Sequence, residues 1–401
     1  MDFYGYMRPN GKAGARNYVL LLPVNRSLNF IASNVERMTR NTHHFEIPAE
    51  TGRTEVDREV IARTLIGLMN NANVGGIVLL AVKSGAGSAY KNMCAERFEE
   101  EARKTGKPFR IVYLTNVGGS YNMLGETLRL TREVLLEVSD FRRENCPLSA
   151  LTLGVKCGTS DATSGIAGNP CVGAAFDQLI RAGGTAFFSE TTEIIGAEDL
   201  VAKRAVNESV AKKILSAARH WEDKAKATGE DIRKINPIPA NIAAGISSLE
   251  EKSLGAIAKS GTSPIQDVLK YAEMPKGSGL YFVDSWMSSL SLPLCLTACG
   301  ATIMLYQMGG GKIAQHPMMP SINPTVVSPF LYLTGNAVAY SRAPDNFDFD
   351  ASSIMTEGAS IPEMGTKLLE HLSAIASGTM TKMETLNYAE QLELYMEGPV
   401  L

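Results

Sequence analysis

The densest run of chemically capable side chains lies between residues 156 and 169. There Lys156, Cys157, Ser160, Asp161, Ser164 and Asn169 follow the apolar segment Leu151 to Val155. Gly154, Gly158, Gly165, Gly168 and Gly173 are interleaved with them, and glycine lets a backbone approach a ligand closely. An ammonium, a thiol, hydroxyls and a carboxylate so near together can move a proton, grip an anion or ligate a metal. A second group is Glu190, Glu193 and Glu198, after the apolar run Thr185–Ser189. Acidic residues at a helix start also serve as dipole partners, and for Glu193 and Glu198 that reading weighs as much. Glu190 ends a run that should lie parallel to the one ending at Lys156, so both can face one crevice.

Further polar groups follow. Asn241 stands in a Pro/Asn-rich loop, Lys252 within Glu250 to Gly255, and Lys259-Ser260-Gly261-Thr262 close by. Helix-spaced Glu and Lys most often form solvated surface pairs. Asp284 ends the apolar run Gly279–Val283. Gly309-Gly310-Gly311-Lys312 could cradle an anion with backbone N–H groups, but it is neither a Walker A sequence nor a dinucleotide fingerprint. His43-His44 could reach a metal, although neighbours on a strand point to opposite faces. Met318-Met319 reads as adaptable packing.

Elements that must position these residues alternate along the chain. Strands are expected at Tyr18–Leu22, Val74–Val82, Arg110–Leu114, Leu151–Val155, Thr185–Ser189, Gly279–Val283, Ala301–Tyr306 and Thr325–Ser328. Helices are expected at Thr54–Asn70, Ala89–Thr105, Asn122–Val138, Val172–Ala182 and Ala197–Thr228. Short apolar runs alternating with amphipathic helices specify parallel sheets flanked by helices. The fold class is therefore α/β, with two mostly parallel-sheet domains. The polar stretch Arg142 to Pro147 marks a boundary: residues 1–145 form an N-terminal domain, and residues 146–401 a glycine-rich C-terminal catalytic domain carrying most of the site.

The 401 residues carry 39 Lys plus Arg against 42 Asp plus Glu, a net charge of −3. That balance gives no electrostatic support for nucleic acid as a partner. No apolar run approaches the roughly 18 residues of a membrane span, and the start lacks a secretory pattern, so no membrane association is expected. Six cysteines in a chain of this length do not make a disulfide framework, which suits a cytoplasmic protein.

Several motifs together resemble the altronate and galactarate dehydratase family, which includes the sulfolactate sulfo-lyase large subunit. They are Gly5-Tyr6-x-Arg8-Pro9-Asn10-Gly11-x-x-Gly14-x-Arg16-Asn17, Lys156-Cys157-Gly158-x-Ser160-Asp161, Ser189-Glu190-Thr191-x-Glu193-x-x-Gly196-Ala197-Glu198 and Glu251-Lys252-Ser253-Leu254-Gly255. The resemblance runs in order over nearly the whole chain. It implies metal-dependent β-elimination from a 2-hydroxy acid, with Fe2+ first and Mg2+ or Mn2+ as other ions. It also implies a small companion subunit and an oligomer. Two departures from the family pattern stand out. Asn25-Arg26-Ser27 occupies a place where a cysteine is common, and Lys83-Ser84-Gly85-Ala86-Gly87 stands where many members carry Gly-Cys-Glu.

The substrate implied is a small anionic hydroxy or sugar acid, converted to a 2-keto acid. A carbanion beside a carboxylate needs cations to hold its charge. Lys156 and Lys252 are expected as base or enediolate stabiliser, and Asp161 and Glu190 as metal or general-acid groups. Glu193 joins Asp161 and Glu190 as a metal ligand. Substrate contacts are expected from Arg8, Arg16, Arg26, Cys157, Ser160, Ser164, Asn169, Asn241 and Asp284. The alternatives are a carbon–sulfur lyase like the sulfolactate sulfo-lyase, and a non-catalytic sugar-acid-binding relative.

Overall fold

The computed structural model describes residues 1–83, 91–310, 323–386 and 394–399. Ser84 to Ser88, Gly311-Lys312, His316 and Met318-Met319 lie outside them. Among the described residues there are three sheets. A small antiparallel sheet joins β1 (Asp2–Met7) to β2 (Ala13–Gly14) and β7 (Glu144–Pro147). The second sheet has the order β4-β3-β5-β6 and is parallel throughout: β3 (Tyr18–Pro23), β4 (Thr42–His44), β5 (Val74–Ala81) and β6 (Phe109–Tyr113).

The third sheet is also parallel and has seven strands in the order β10-β11-β9-β8-β12-β13-β14. These are β8 (Thr152–Gly158), β9 (Thr185–Phe188), β10 (Ile265–Leu269), β11 (Gly279–Val283), β12 (Ile303–Met308), β13 (Phe330–Thr334) and β14 (Phe349–Asp350). The chain leaves β8 towards β9 on one side and later returns to β12 on the other. The β8–β12 boundary is thus a topological switch point, where ligands bind beyond the carboxyl ends of open α/β sheets.

Helices cover both parallel sheets. The principal ones are α1 (Asn29–Met38), α2 (Glu55–Asn70), α3 (Ala95–Lys104), α4 (Ser120–Ser139), α5 (Asn169–Arg181), α6 (Glu208–Ala227), α7 (Leu249–Ile257), α8 (Ser291–Cys299) and α9 (Ile361–Ala376). One hydrophobic cluster takes Leu20, Leu22 and Leu79 from the four-stranded sheet and Leu294, Leu296, Met304 and Tyr306 from the other half. α2 meets α8 so closely that a Cβ on Gly67 would overlap the Ala298 carbonyl. Buried Asn73 adds polar ties between the halves: Oδ1 accepts from Ala15 and Arg16 N–H at 2.7 and 3.1 Å, and Nδ2 donates to the Thr302 carbonyl at 2.8 Å.

Several boundaries differ from the expectation. The stretch read as a domain boundary, Arg142 to Pro147, contains β7, which pairs with β1. The expected helix at 197–228 is two, Glu198–Ala202 and α6. Between them Val206 N–H bonds to the Ile265 carbonyl, and Asn207 Oδ1 caps Val210 at 3.0 Å. The run Thr325–Ser328 is a turn closed by Thr325 Oγ1 donating to the Ser328 carbonyl at 2.5 Å, and the strand begins at Phe330. α3 starts at Ala95, not Ala89. β10 and α9 were not anticipated.

Candidate active site

β8 and β9 run parallel, so their carboxyl ends bring Lys156, Cys157 and Glu190 together. Alternation sends Lys156 and Cys157 to opposite faces of β8. Glu190 sits at the end of the sheet and is reached from both. Its Oε1 lies 3.4 Å from Lys156 Nζ. Its Oε2 accepts from the Cys157 N–H at 3.1 Å and lies 3.4 Å from Cys157 Sγ. Lys259 Nζ also pairs with Oε2 and lies 3.1 Å from the same sulfur. Glu190 holds a left-handed backbone at φ 75°, which is rare for a residue with a Cβ and concentrates at functional sites. Lys259 and Glu190 are each 1 % exposed. Lys156 lies over the Tyr306 ring, 5.1 Å from its centroid, and Tyr306 Oη is 2.9 Å from Ser289 Oγ.

Burial opposes charge on both lysines, but the groups around them outweigh it. Tyr306, Glu190 and Cys157 hold the Lys156 ammonium above the usual lysine value, and Cys157 and Glu190 do the same for Lys259. Burial likewise resists ionisation of Glu190, yet Lys259 and Lys156 hold its carboxyl below the ordinary carboxylate range. The Cys157 thiol is pushed up to about 11, by burial first and then by Glu190. Two cations, one anion and a neutral thiol therefore leave an excess positive charge in a buried place. Lys156 is thereby held as a cation, which suits the second of its two expected roles, enediolate stabiliser, better than that of base.

A second ion pair is next to the first. The Glu193 N–H donates to the Glu190 carbonyl at 2.8 Å, so one turn presents both carboxylates. Lys252 Nζ lies 3.1 Å from Glu193 Oε1 and donates to Asn236 Oδ1 at 2.6 Å. Lys252 also lines a cavity of about 510 Å³ with Ser160, Asp161, Ser164 and Asn169. The turn before α5 and α7 frame its inner wall, where Gly165 and Gly255 meet so closely that a Cβ on either would stand about 3 Å from the other's Cα. Asn169 Nδ2 donates to the Gly255 carbonyl at 2.8 Å, and Asn241 Nδ2 to the Ser160 carbonyl at 3.0 Å. Among the described residues, the carbonyl oxygens of both amides are buried without a partner, as is Glu193 Oε2.

Asp161 is committed elsewhere. Its Oδ1 accepts from Thr163 Oγ1 at 2.6 Å and the Ser164 N–H at 3.0 Å, and its Oδ2 accepts from Asn336 Nδ2 at 2.9 Å and from the Gly310 N–H. It fastens the turn after β8 to the turn after β12. Asp161, Glu190 and Glu193 do not converge, and both glutamates are held by ammonium groups. Among the described residues no three His, Cys, Asp or Glu side chains are grouped to hold a metal ion. The described donor set therefore does not fit the divalent metal expected from the resemblance.

The arginines are also engaged away from the cluster. Arg8 donates to the Ala72 carbonyl at 2.7 Å and Asn17 Oδ1 at 2.8 Å. Arg16 forks onto Glu384 at 2.6 and 2.7 Å and donates to the carbonyls of Ala15, Ile375 and Thr379. These bonds account for its guanidinium donors, which leaves none for a substrate. Arg26 is exposed beyond β3, in the other parallel sheet. Asp284 Oδ1 accepts from Thr191 Oγ1 at 2.7 Å and Trp221 Nε1 at 2.9 Å, which braces the turn that follows Glu190. A cleft of about 860 Å³ includes Asp284 and follows the β10–β11 edge, away from the lysine cluster.

His43 and His44 share Glu36. His43 Nδ1 lies 3.3 Å from Oε1, and His44 Nδ1 bonds to Oε2. Burial would raise the Glu36 pKa, but the two histidines lower it from 4.5 to about 2. Burial would lower that of His44, but Glu36 and Glu46 raise it above 6.5. The Glu36 contribution is present above pH 4.5 and fades as pH falls towards 2. The His44 contribution is complete below pH 6.5 and fades as pH rises through its raised value. The stability gap between wild type and His44→Gln in urea should therefore be widest between those limits and shrink on either side. A gap independent of pH would refute the pairing.

Lys259 is the member of the cluster that sequence reasoning missed as a site residue. Its neighbours Ser260, Gly261 and Thr262 made it resemble a surface run, and the signal available was the glycine turn closing α7. Tyr306 was likewise read only as the end of a strand.

Comparison with known proteins bears on the family. Residues 148–399 match the model described as D-galactarate/Altronate dehydratase, C-terminal, and residues 5–139 match D-galactarate dehydratase/Altronate hydrolase, second domain. The chain is 32% identical over 394 residues to the (2R)-sulfolactate sulfo-lyase subunit beta of Chromohalobacter salexigens, covering 97% of this chain and 96% of that protein. It is 29% identical to the altronate dehydratase of Bacillus subtilis, covering 100% of this chain and 78% of the relative. It is also 29% identical to the galactarate dehydratase (L-threo-forming) of Escherichia coli, covering 99% and 77%. With both halves matched, the chain belongs to the D-galactarate/altronate dehydratase family and is an enzyme of the lyase class.

Proposed function

We propose that this enzyme eliminates a β-substituent from a small anionic 2-hydroxy acid of the sugar-acid class, releasing a 2-keto acid. The observation that carries the reading is the buried Lys156–Glu190–Lys259 cluster with its excess positive charge. Glu190 is an ionised carboxylate whose Oε1 has, among the described residues, only the Lys156 ammonium beside it, at 3.4 Å. It takes the proton from C2, and the C–H electron pair becomes the C2–C3 double bond as the bond from C3 to the leaving group breaks. Lys156 and Lys259 face the charge that builds on the substrate carboxylate, where preorganised cations act most strongly. Lys252, on the cavity wall, supplies the proton that turns departing hydroxide into water. The enol then takes a proton at C3 and becomes the keto acid.

Leaving water and leaving sulfite are separable readings. The unpartnered oxygens of Asn169 and Asn241 favour a substrate rich in hydroxyl donors, because the amide nitrogens are already bonded and each orientation is thereby set. A 2-hydroxy-3-sulfonate has a single hydroxyl and a sulfonate that only accepts hydrogen bonds, so it could pair with one of those oxygens and not both. The near-complete length match to the sulfo-lyase subunit favours the carbon–sulfur reading and a small companion subunit. The purified protein, alone and with a co-expressed companion, should be assayed on sugar acids and on 2-hydroxy-3-sulfonates, measuring 2-keto acid and sulfite. Keto acid without sulfite supports the dehydratase, and equimolar sulfite replaces it with the sulfo-lyase. Neither product from any acid would end the proposal.

A further inference from the structure

Gln307 is fully buried on β12, and neither atom of its amide has a hydrogen-bond partner among the described residues. Parallel register places it beside Cys157 on one side and Leu333 on the other. Ile303 and Leu305 of the same strand enter the core beneath α5, and Gln307, in step with them, faces that side too. The surface it meets is Gly168, where a Cβ would overlap the amide nitrogen. The next residue is Asn169, which lines the cavity and has an unpartnered oxygen of its own. Glu190, Cys157 and Gln307 thus form a row across the carboxyl ends of β9, β8 and β12.

An amide carries both donors and lone pairs. Burying all of them without partners is an uncompensated desolvation that an apolar side chain of similar volume would avoid. Folded proteins keep such groups chiefly where a ligand completes them. We infer that Gln307 is a substrate-contacting specificity residue of the proposed elimination: its amide, seated where Gly168 has no side chain, donates to and accepts from one hydroxyl of the bound acid. This rests on the functional reading above. A hydroxyl offers the donor and the acceptor that one amide needs, whereas a sulfonate oxygen would leave the Gln307 carbonyl unpaired.

The test is Gln307→Met, with KM, kcat and the ligand-free thermal midpoint measured beside wild type on the acid that wild type turns over. The expected result is a KM raised about tenfold, the equivalent of one lost hydrogen bond, with a ligand-free midpoint at or above that of wild type. A purely structural amide would show the reverse: a lowered midpoint and an unchanged KM, and that outcome overturns the inference. Should Gln307→Met fail to fold, Gly168→Ala decides, since its Cβ displaces the same amide and should raise KM likewise. An unchanged KM there overturns the inference as well. A wild-type protein that turns over no acid removes the elimination reading and this inference with it. Wild-type turnover with unaltered KM in the variants removes only the role of Gln307.

Discussion

Lys259→Met is expected to lower kcat/KM by about a thousandfold or more while leaving a folded protein. Removing one preorganised charge from a dry site typically costs a factor of about 10²–10³ in rate, and here the cation also holds the proton acceptor in place. Folding survives because Lys156 and Glu190 remain as a buried pair of opposite charges. Glu190→Gln makes the contrast. It removes the carboxylate between two ammonium groups, and stranding buried charges costs about 3–5 kcal/mol. That variant should therefore lose activity and stability together. Circular dichroism melts beside the keto-acid assay separate the two cases. Lys259→Met with near wild-type turnover would show that the cluster is a structural ion network and not the reacting centre.

The second large effect is on stability and lies far from the chemistry. Arg16→Met should destabilise the enzyme by about 3–5 kcal/mol, because it leaves the Glu384 carboxylate buried without its fork. It also strips the carbonyls of Ile375 and Thr379 of their donor. These bonds tie the segment after β2 to the end of α9 and the turn beyond it. Glu384→Gln should show a smaller loss in the same direction, since the neutral amide still accepts one bond. In both variants kcat and KM per folded molecule should match wild type, measured well below the melting temperature. A raised KM at unchanged thermal midpoint would instead return Arg16 to the substrate-gripping role that its motif suggests.

These two outcomes divide the conserved-looking motifs by what the side chains touch. Arg8 and Arg16 are arginines in a glycine-rich opening motif, and such residues commonly grip anions. In the fold they bind backbone carbonyls and a carboxylate of their own chain. Asp161 follows a strand end just as Glu190 does, but the Ser164 N–H, Gly310 N–H and Asn336 amide converge on it, and it becomes a clasp. Glu190 meets ammonium groups and stays ionised. The residue types alone do not distinguish these fates.

Much of the architecture was legible in the linear order of residues. Apolar runs of five to eight residues between amphipathic helices can bury themselves only as parallel strands covered on both faces. Gly279–Val283 and the run to Lys156 were recognised on that basis, and so was the polar character of the strand ends. Their chemistry, lysine and carboxylate at the carboxyl edge of a sheet, also belongs to the sequence, as does the family that its motifs carry. Boundaries failed where tertiary bonds intervene, as at Val206, whose N–H is claimed by Ile265.

What only the tertiary structure decided is which strand ends share a hollow. Strand order puts β8 between β9 and β12, and this choice is made by long-range packing that no local pattern encodes. It gathers Lys156, Cys157, Glu190 and Gln307 from distant stretches of chain, and the turn after α7 adds Lys259. Once they are enclosed, proximity without water sets their charges: the lysines stay protonated because a carboxylate is beside them, and the carboxylate stays ionised because of the lysines. Sequence supplied the groups, and burial in a common space gave each of them its protonation state.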